Sequence, residues 1–212
     1  MEQFLLEIKN RMSQKLPGFE AQFLMASANR KSNILPPENA KQSGVLLLLF
    51  LKEKRWNLLL IQRTEDGNAH SGQISFPGGK MEKYDKDFTD TALRECEEEI
   101  GIAREHIHVM GHLTPLYIPA SNFVVNPTVG FIDYDKIKIS ISQKEVKEVL
   151  IVPLEYLFDE QHKQLRLVKT NYQMEVKARA YILQQNQVVW GATAMILSEF
   201  EQIIQGLKFF LK

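Results

Sequence analysis

Apolar residues recur along this chain in two ways, as short unbroken runs and at helical spacing. The longest run covers 45–51 and predicts a strand that is buried on both faces. Apolar residues at helical spacing predict an amphipathic helix over 2–16. Another helix is predicted over 88–100, and Gly101 follows it as a natural left-handed cap.

The remaining elements follow from the same patterns and from turn residues. Strands are predicted at 44–51, 58–62, 74–76, 106–113, 124–132, 149–152, 164–168 and 174–183, and further helices at 153–158 and 191–206. Many strands with few helices between them predict an α/β fold in which a mixed sheet packs between helices. The polar segment 29–43 contains Pro36 and Pro37 and predicts a linker. We therefore expect an N-terminal helix and linker over 1–40 and a main domain over 41–212.

The composition is that of a globular protein with balanced charge. The chain has 212 residues, of which 44% are hydrophobic and 25% charged, and these values exclude disorder as the main state. The 26 basic and 26 acidic side chains cancel, so we expect no nucleic-acid partner. No apolar run approaches the roughly 20 residues that span a bilayer, so we expect no membrane partner. The single cysteine, Cys96, cannot form an internal disulfide, which predicts a reducing compartment, the cytoplasm.

The predicted N-terminal helix has an apolar face that needs a partner. It can pack on the main domain or on a second copy of the chain in a homodimer, and the sequence leaves both open. The first residues are acidic and lack the basic and apolar regions of a signal peptide, so we expect no targeting segment here.

The helix predicted over 88–100 carries a strong local excess of negative charge. Glu95, Glu98 and Glu99 fall within an arc of roughly 100° on this helix. Three carboxylates so placed repel one another unless a cation lies among them, and Arg94 offsets only part of their charge. Hard divalent cations such as Mg²⁺ and Mn²⁺ prefer oxygen ligands of this kind. The helix therefore predicts either a metal site or a solvated acidic face.

A glycine pair upstream favours the metal site. Gly78 and Gly79 follow Phe76 and Pro77 at the end of a predicted strand, and the chain then leads back to the acidic helix. Paired glycines let backbone carbonyl and amide groups approach a metal or a phosphate closely. On its own, such a pair would indicate only a turn.

Together these residues resemble the Nudix box, whose consensus is G-x5-E-x7-R-E-U-x-E-E-x-G-U, with U bulky and apolar. The segment 94–102 fits every fixed position of the second half, with Cys96 in an apolar position. The first half departs from the consensus. The spacing from Gly79 to Arg94 is one residue longer, and Lys86 stands where counting back from Arg94 expects glutamate. The nearby acids that can replace this glutamate are Glu82, Asp85 and Asp87.

A second resemblance lies just upstream of the box. The segment 59–79 is similar to the motif L-L-T-x-R-[SA]-x3-R-x3-G-x3-F-P-G-G of the coenzyme A diphosphatases, a Nudix subfamily. It departs from that motif at Ile61, at Thr64 and at Asn68, which stands in place of an arginine. Farther on, the segment 189–194 is similar to the W-G-x-T-A segment of the same subfamily.

The resemblance implies a Nudix α/β/α sandwich that hydrolyses a diphosphate bond in a nucleoside diphosphate-linked small molecule. It implies that Glu95, Glu98 and Glu99 hold Mg²⁺ or Mn²⁺, with the carbonyl of Gly79 as a further ligand. A bound metal would neutralise the diphosphate and lower the pKa of a water molecule. The same resemblance gives Arg94 the task of orienting the carboxylates.

The general base of such an enzyme is a carboxylate of the box or of a later loop. The candidates here are Glu98 in the box and Glu145 and Glu148 in the segment before a predicted strand. We take Glu98 and Glu145, with Arg94, as the catalytic group. A solvated loop face is the alternative role for the two later glutamates.

Basic side chains near the glycine pair are candidates for contact with the substrate phosphates. Arg63 stands at the end of a predicted strand, just before the glycine-rich segment, and is our first choice. Lys80 and His70 are further choices. A surface ion pair or a solvated loop is the alternative role for all of them.

Three functions fit these motifs. The first is metal-dependent hydrolysis of coenzyme A or acyl-coenzyme A, which gives 3′,5′-ADP and phosphopantetheine or its acyl form. The second keeps the reaction but takes ADP-ribose or another nucleoside diphosphate derivative, because Asn68 replaces an arginine of the coenzyme A motif. The third is a non-catalytic Nudix-like binding module, which the irregular first half of the box suggests.

Overall fold

The structure, a computed structural model, describes residues 1–28, 30, 35–65, 71–170 and 174–208. Its helices are α1 (Glu2–Met12), α2 (Gly18–Phe23), α3 (Phe88–Ile100), α4 (Leu154–Leu157) and α5 (Gly191–Ile204). Its strands are β1 (Lys41–Lys52), β2 (Arg55–Arg63), β3 (Ile74–Ser75), β4 (Gly78–Lys80), β5 (His108–His112), β6 (Leu116–Ile118), β7 (Phe123–Phe131), β8 (Val146–Pro153), β9 (Lys163–Lys169), β10 (Glu175–Ile182) and β11 (Val188–Val189).

Strand β1 is the centre of the larger sheet. It pairs antiparallel with β2 and β4 and parallel with β7. The order β3-β2-β1-β7-β5 runs across the sheet, β8 joins it at β2, and β6 joins it at β7. Strands β9, β10 and β11 form a second, antiparallel sheet. The larger sheet therefore contains both kinds of pairing, which confirms the predicted mixed sheet.

The side chains of β1 divide the core into two layers. Successive residues of a strand face opposite sides of the sheet. Leu46 and Leu48 lie in the cluster that contains Cys96 of α3. Leu47 and Leu49 lie in the cluster that contains α1 and α5. All four leucines are fully buried, so the unbroken apolar run arises because helices cover both faces. This arrangement confirms the α/β/α sandwich.

The N-terminal helix packs on its own domain. Phe4 stacks on Trp56 of β2 with ring centroids 4.3 Å apart. Arg11 Nη1 donates hydrogen bonds to the carbonyls of Ile203 at 2.9 Å and Gln205 at 2.8 Å, at the end of α5. Of the two predicted packing partners of this helix, the main domain and a second copy of the chain, the structure therefore shows the main domain. The division of the chain at residues 40 and 41 stays a prediction.

Several elements differ from the prediction in extent. The predicted helix 2–16 ends at Met12, and the short helix α2 follows it with too few residues to show a helical period. Strand β1 begins at Lys41, inside the segment predicted to be a linker, because its parallel pairing with β7 starts there. The linker residues 29 and 31–34 lie outside the described residues. Strands β4 and β6 have three residues each and carry no alternation that predicts them.

No helix within the described ranges is long and apolar enough to cross a membrane.

Gly44 of β1 sets how closely α3 approaches the sheet. A Cβ atom at this position would overlap the carbonyl oxygen of Phe88 and lie 3.0 Å from the amide nitrogen of Ala92. Both atoms belong to the backbone of α3, so they cannot turn aside. Gly44 is also paired with Gly79 of β4. The same residue therefore brings the helix and the glycine pair to one place.

We expect Gly44→Ala to lower the free energy of unfolding by more than about 2 kcal/mol, because the added methyl group forces α3 away from β1. Chemical denaturation followed by circular dichroism measures this loss. Gly111→Ala is the matched control, since the nearest atom to a Cβ there is the flexible end of Met12, with Cε at 3.1 Å, and its other near neighbours lie at ordinary contact distance. Equal losses in the two variants would contradict the close packing of α3 on β1.

Candidate active site

Helix α3 has the bounds that the sequence predicts. Asp87 caps its first turn by accepting a hydrogen bond from the amide of Asp90 at 2.8 Å. Gly101 ends the helix with a φ of 75°, which confirms the left-handed cap. Ala92 and Cys96 are fully buried against the sheet. The apolar stripe therefore fixes the rotation of the helix and leaves Glu95 and Glu99 facing the glycine pair.

Arg94 is buried among the carboxylates, with 6% of its side chain exposed. Nε donates to Asp85 Oδ1 at 2.8 Å and Nη2 donates to Asp85 Oδ2 at 2.9 Å. Nη1 lies 2.8 Å from Glu95 Oε1 and 2.9 Å from Glu98 Oε2. Nη2 also donates to the main-chain carbonyl of Lys80 at 3.1 Å. One guanidinium thus positions three carboxylates and the residue that follows the glycine pair.

Asp85 replaces the glutamate of the box consensus. Counting forward, it is the sixth residue after Gly79, so the extra residue of the box lies between Asp85 and Arg94. Its side chain is 1% exposed and also accepts hydrogen bonds from the amide of Glu82 at 2.8 Å and from Thr91 Oγ1 at 2.9 Å. The hydrogen bonds from Arg94 hold the pKa of Asp85 well below its ordinary value. Of the three nearby acids that the sequence offered for this role, Asp85 is the one that Arg94 contacts.

Glu99 is buried beneath the glycine pair, with 1% of its side chain exposed. Its Oε2 accepts a hydrogen bond from the amide of Gly78 at 2.9 Å, and its Oε1 accepts one from Arg63 Nη1 at 3.0 Å. Burial raises the pKa of Glu99 to about 7, although both donors act in the opposite direction. Each oxygen keeps a lone pair for another cation.

Gly79 lies against the carboxylate of Glu95. A Cβ atom at Gly79 would come within 2.6 Å of every atom of that carboxyl group. Burial raises the pKa of Glu95, and the charges of Glu98 and Glu145 add to this effect, while Arg94 opposes it. The missing side chain leaves a cradle between a backbone and a carboxylate. Its oxygen donors fit a hard divalent cation.

The carboxylates are currently engaged by arginines. Arg94 contacts Glu95 and Glu98, and Arg63 contacts Glu99. Across the described part of the chain, no three histidine, cysteine, aspartate or glutamate side chains already converge as a metal site. A cation would therefore have to compete with these guanidinium groups for the carboxylate oxygens.

The two later candidates for the general base lie in different surroundings. Glu145 is exposed, and its amide donates to the carbonyl of Ser142, whose own amide donates to the carbonyl of Glu99 at 2.8 Å, so Glu145 lies beside the end of α3. Burial raises the pKa of Glu95 and Glu99, and the charge of Glu145 adds to this effect. Its main-chain carbonyl accepts a hydrogen bond from the amide of Thr64 at 3.0 Å. Glu148, on β8, accepts a hydrogen bond from Gln187 Nε2 at 2.8 Å. The fold thus brings Glu145 to the acidic cluster and engages Glu148 with the turn before β11.

The candidate residues for phosphate contact also lie in different surroundings. Arg63 lies in the acidic cluster through its contact with Glu99. The side chain of Lys80 is exposed, with Nζ 3.5 Å from Glu82 Oε1, while its carbonyl holds Arg94. His70 and Asn68 lie outside the described residues.

The segment before the glycine pair is held in place from three sides. Phe76 is buried in the core cluster that contains α5. The carbonyl of Pro77 accepts a hydrogen bond from the amide of Leu46 at 2.9 Å. Thr193 Oγ1, in the segment similar to W-G-x-T-A, donates to the carbonyl of Ile74 at 3.2 Å. Two distant motifs therefore meet at the strand that leads into the glycine pair.

Comparison with known proteins identifies the family. The NUDIX domain family matches residues 40–171 of this chain. A protein of Photorhabdus laumondii, named as an uncharacterized Nudix hydrolase NudL, is 33% identical over 84% of this chain and 95% of its own length. A protein of the same name from Yersinia enterocolitica is 34% identical over 77% of this chain and 82% of its own length. The chain belongs to the Nudix family.

Family membership answers the question of enzyme or binding module. The protein is a Nudix hydrolase and acts on a diphosphate bond. Nudix enzymes generally require divalent metal ions. A MutT/nudix family protein from Enterococcus faecalis has a similar fold, with a TM-score of 0.53 at 17% identity over 82% of this chain and 65% of that chain. These findings confirm the Nudix fold and favour the enzyme over the non-catalytic module.

We expect Asp85→Asn to lower the free energy of unfolding by about 3 kcal/mol at neutral pH, because Arg94 loses its buried ionic partner. The loss should shrink in acid. The pKa of Asp85 is lower in the folded state than in the unfolded state, so its contribution is complete above a pH of about 4 and declines below it. Chemical denaturation of both proteins at several pH values measures the difference.

Asp87→Asn is the matched control for this variant. It removes the same charge two residues away, but asparagine still caps the first turn of α3. We expect it to cost less than about 1 kcal/mol. If Asp85→Asn cost no more than this control, the buried pair with Arg94 would not be the source of stability.

Proposed function

We propose that this Nudix hydrolase is a metal-dependent diphosphatase that acts on coenzyme A or acyl-coenzyme A. The products are 3′,5′-ADP and phosphopantetheine or its acyl form. The observation that carries the proposal is the meeting of two motifs at Glu99. Its oxygens accept hydrogen bonds from Arg63 and from the amide of Gly78, which both belong to the segment similar to the coenzyme A motif. The box and that motif thus form one site.

The metal belongs to the acidic face of α3. Glu95, Glu98 and Glu99 would hold Mg²⁺ or Mn²⁺, with the carbonyl of Gly79 as a further ligand. When bound, the metal neutralises charge on the diphosphate and lowers the pKa of a water molecule. The cradle at Gly79 and the purely oxygen donor set support this assignment.

Arg94 acts through the carboxylates that it holds. Its guanidinium is buried and engaged by Asp85, Glu95 and Glu98, so it has no surface for the substrate. Asp85 fixes two of its nitrogens, and the remaining one sets the positions of Glu95 and Glu98. We therefore give Arg94 a positioning role rather than a direct catalytic one.

We assign the general base to Glu145. It is exposed and lies near Glu95 and Glu99, whereas Glu98 is bound to Arg94 through Oε2. A carboxylate in this place can take the proton of the attacking water as the water adds to phosphorus and the bridging oxygen leaves. Glu98 stays the alternative base.

Arg63 supplies the substrate contact of this site. Its guanidinium lies on Glu99, at the edge where a diphosphate would reach the acidic cluster, and a guanidinium recognises phosphate oxygens through two parallel hydrogen bonds. Lys80 and His70 are secondary choices for phosphate contacts. The substrate is a small molecule, and we place the enzyme in the cytoplasm because its cysteine is a buried free thiol.

A substrate panel tests the proposal. Coenzyme A, acetyl-coenzyme A and ADP-ribose are incubated with the enzyme and Mg²⁺ or Mn²⁺, and the products are identified by mass spectrometry. We expect a coenzyme A compound to give the highest kcat/KM and to release 3′,5′-ADP. A higher kcat/KM for ADP-ribose would favour the second substrate class. The presence of Asn68 in place of an arginine of the coenzyme A motif also favours that class. If neither coenzyme A nor acetyl-coenzyme A is cleaved with either metal, the coenzyme A assignment is refuted.

Two variants of α3 attribute the activity of that panel to this site. Glu99→Gln should lower kcat at least about 100-fold, because it weakens metal binding, while the circular dichroism spectrum stays unchanged. Glu97→Gln is its control on the same helix, since Glu97 pairs with Arg104 at 2.9 Å, away from the glycine pair.

We expect Glu145→Gln to lower kcat by about 100-fold or more, because the amide cannot take the proton of the attacking water. Its affinity for Mg²⁺, measured by calorimetry, should stay within about twofold of the wild type. Glu148→Gln is the matched control and should keep nearly full kcat. A normal kcat for Glu145→Gln, with a large loss for Glu98→Gln at unchanged metal affinity, would move the base to Glu98.

A further inference from the structure

Two arginines serve the acidic cluster, and they are held very differently. Arg94 is 6% exposed and bound by two oxygens of Asp85, by Glu95, by Glu98 and by the carbonyl of Lys80. The side chain of Arg63 is 28% exposed and makes one hydrogen bond to another side chain within the described residues, from Nη1 to Glu99 Oε1 at 3.0 Å. Arg63 therefore has fewer contacts to lose than Arg94 when another cation takes its carboxylate.

Under the proposed function, Oε1 of Glu99 is the oxygen for which Arg63 and the metal compete. Oε2 of Glu99 already accepts a hydrogen bond from the amide of Gly78, which is fixed in the backbone. Oε1 is therefore the oxygen that a change of side chain can free. A guanidinium and a divalent cation at the same carboxylate oxygen repel each other, and repulsion is strong where little water screens it. Arg63 and the metal therefore cannot both bind Oε1 with full affinity at the same time.

The backbone of Arg63 stays in place when its side chain moves. Its amide donates to the carbonyl of Gln73 at 3.0 Å, at the bulge where β2 ends. A change of side-chain rotamer can therefore move the partly exposed guanidinium off the buried carboxylate while β2 stays paired. A guanidinium there faces any anion that approaches the metal.

We propose that Arg63 is a displaceable counter-cation, which neutralises Glu99 in the metal-free protein, yields Glu99 to the divalent cation and then binds the phosphate of the substrate. The inference rests on the proposed function for the metal ligands, and it adds the order in which metal and substrate bind. Metal binds first, because only metal frees the arginine that the substrate requires. Glu99 is accompanied by a cation at every stage, so the metal-free fold tolerates this buried carboxylate.

Metal affinity without substrate provides the main test. Isothermal titration calorimetry measures the Kd for Mg²⁺ and Mn²⁺ in the wild type, in Arg63→Gln and in Arg104→Gln. The last variant is the matched control, because it removes the same charge from an ion pair with Glu97 on the same helix. We expect Arg63→Gln to bind metal at least about fivefold more tightly than the wild type, and the control to stay within about twofold.

Thermal unfolding gives a second readout that needs no activity. In buffer with a chelator, Arg63→Gln should have a lower Tm than the wild type, because Glu99 loses its counter-cation. At saturating Mg²⁺ this gap should close, since the metal has replaced Arg63 in both proteins. Arg63→Lys retains the charge with a weaker contact, so it should fall between the two proteins in both measurements.

The outcomes separate this inference from the proposed function. If the wild type binds neither metal, or if Glu99→Gln binds metal as the wild type does, the metal site fails and the inference fails with it. If the wild type binds metal through Glu99 but Arg63→Gln binds it equally or more weakly, only the displacement by metal is overturned. A Tm gap that persists at saturating metal overturns it as well, because Arg63 would then remain on Glu99.

Discussion

The pairing of buried carboxylates with arginines organises the acidic helix and the residues around it. Glu99 and Asp85 lie almost fully out of solvent, and each has an arginine partner within about 3 Å. Arg94 is fixed by Asp85 and in turn holds Glu95 and Glu98. The negative charge that a metal would use is thus already partly neutralised, and its carboxylates are positioned, before any metal binds. The rest of the fold serves to bring these groups together.

Close backbone approach is the second requirement, and glycines meet it. Gly44 lets α3 lie directly on β1, and Gly79 leaves space beside the carboxylate of Glu95. Gly78 has a φ of 153° and offers its amide to Glu99. A side chain at Gly44 or Gly79 would collide with α3, and one at Gly78 would collide with β1. The geometry of the site therefore depends on the absence of Cβ atoms as much as on the presence of carboxylates.

The sequence predicted the layers of the fold well, because they follow from local patterns. The run 45–51 became a central strand covered on both faces, and 88–100 became α3 with the predicted cap at Gly101. The prediction failed where elements are too short to show a helical or strand periodicity, as in α2 and β4. It also failed where strand pairing extends a strand into a polar segment, as at Lys41. Such elements exist because of their tertiary partners rather than their own residues.

By itself the sequence determined the acidic face of α3, the glycine pair and the apolar position of Cys96, since helical spacing and residue type decide these features locally. Only the tertiary structure decided that Asp85 is the acid that binds Arg94, that Arg63 lies on Glu99, and that Glu145 rather than Glu148 lies near the cluster. Each of these choices joins residues that are far apart in the chain or displaced by one extra residue. Packing and strand register bring these residues together, and no local sequence pattern predicts such contacts.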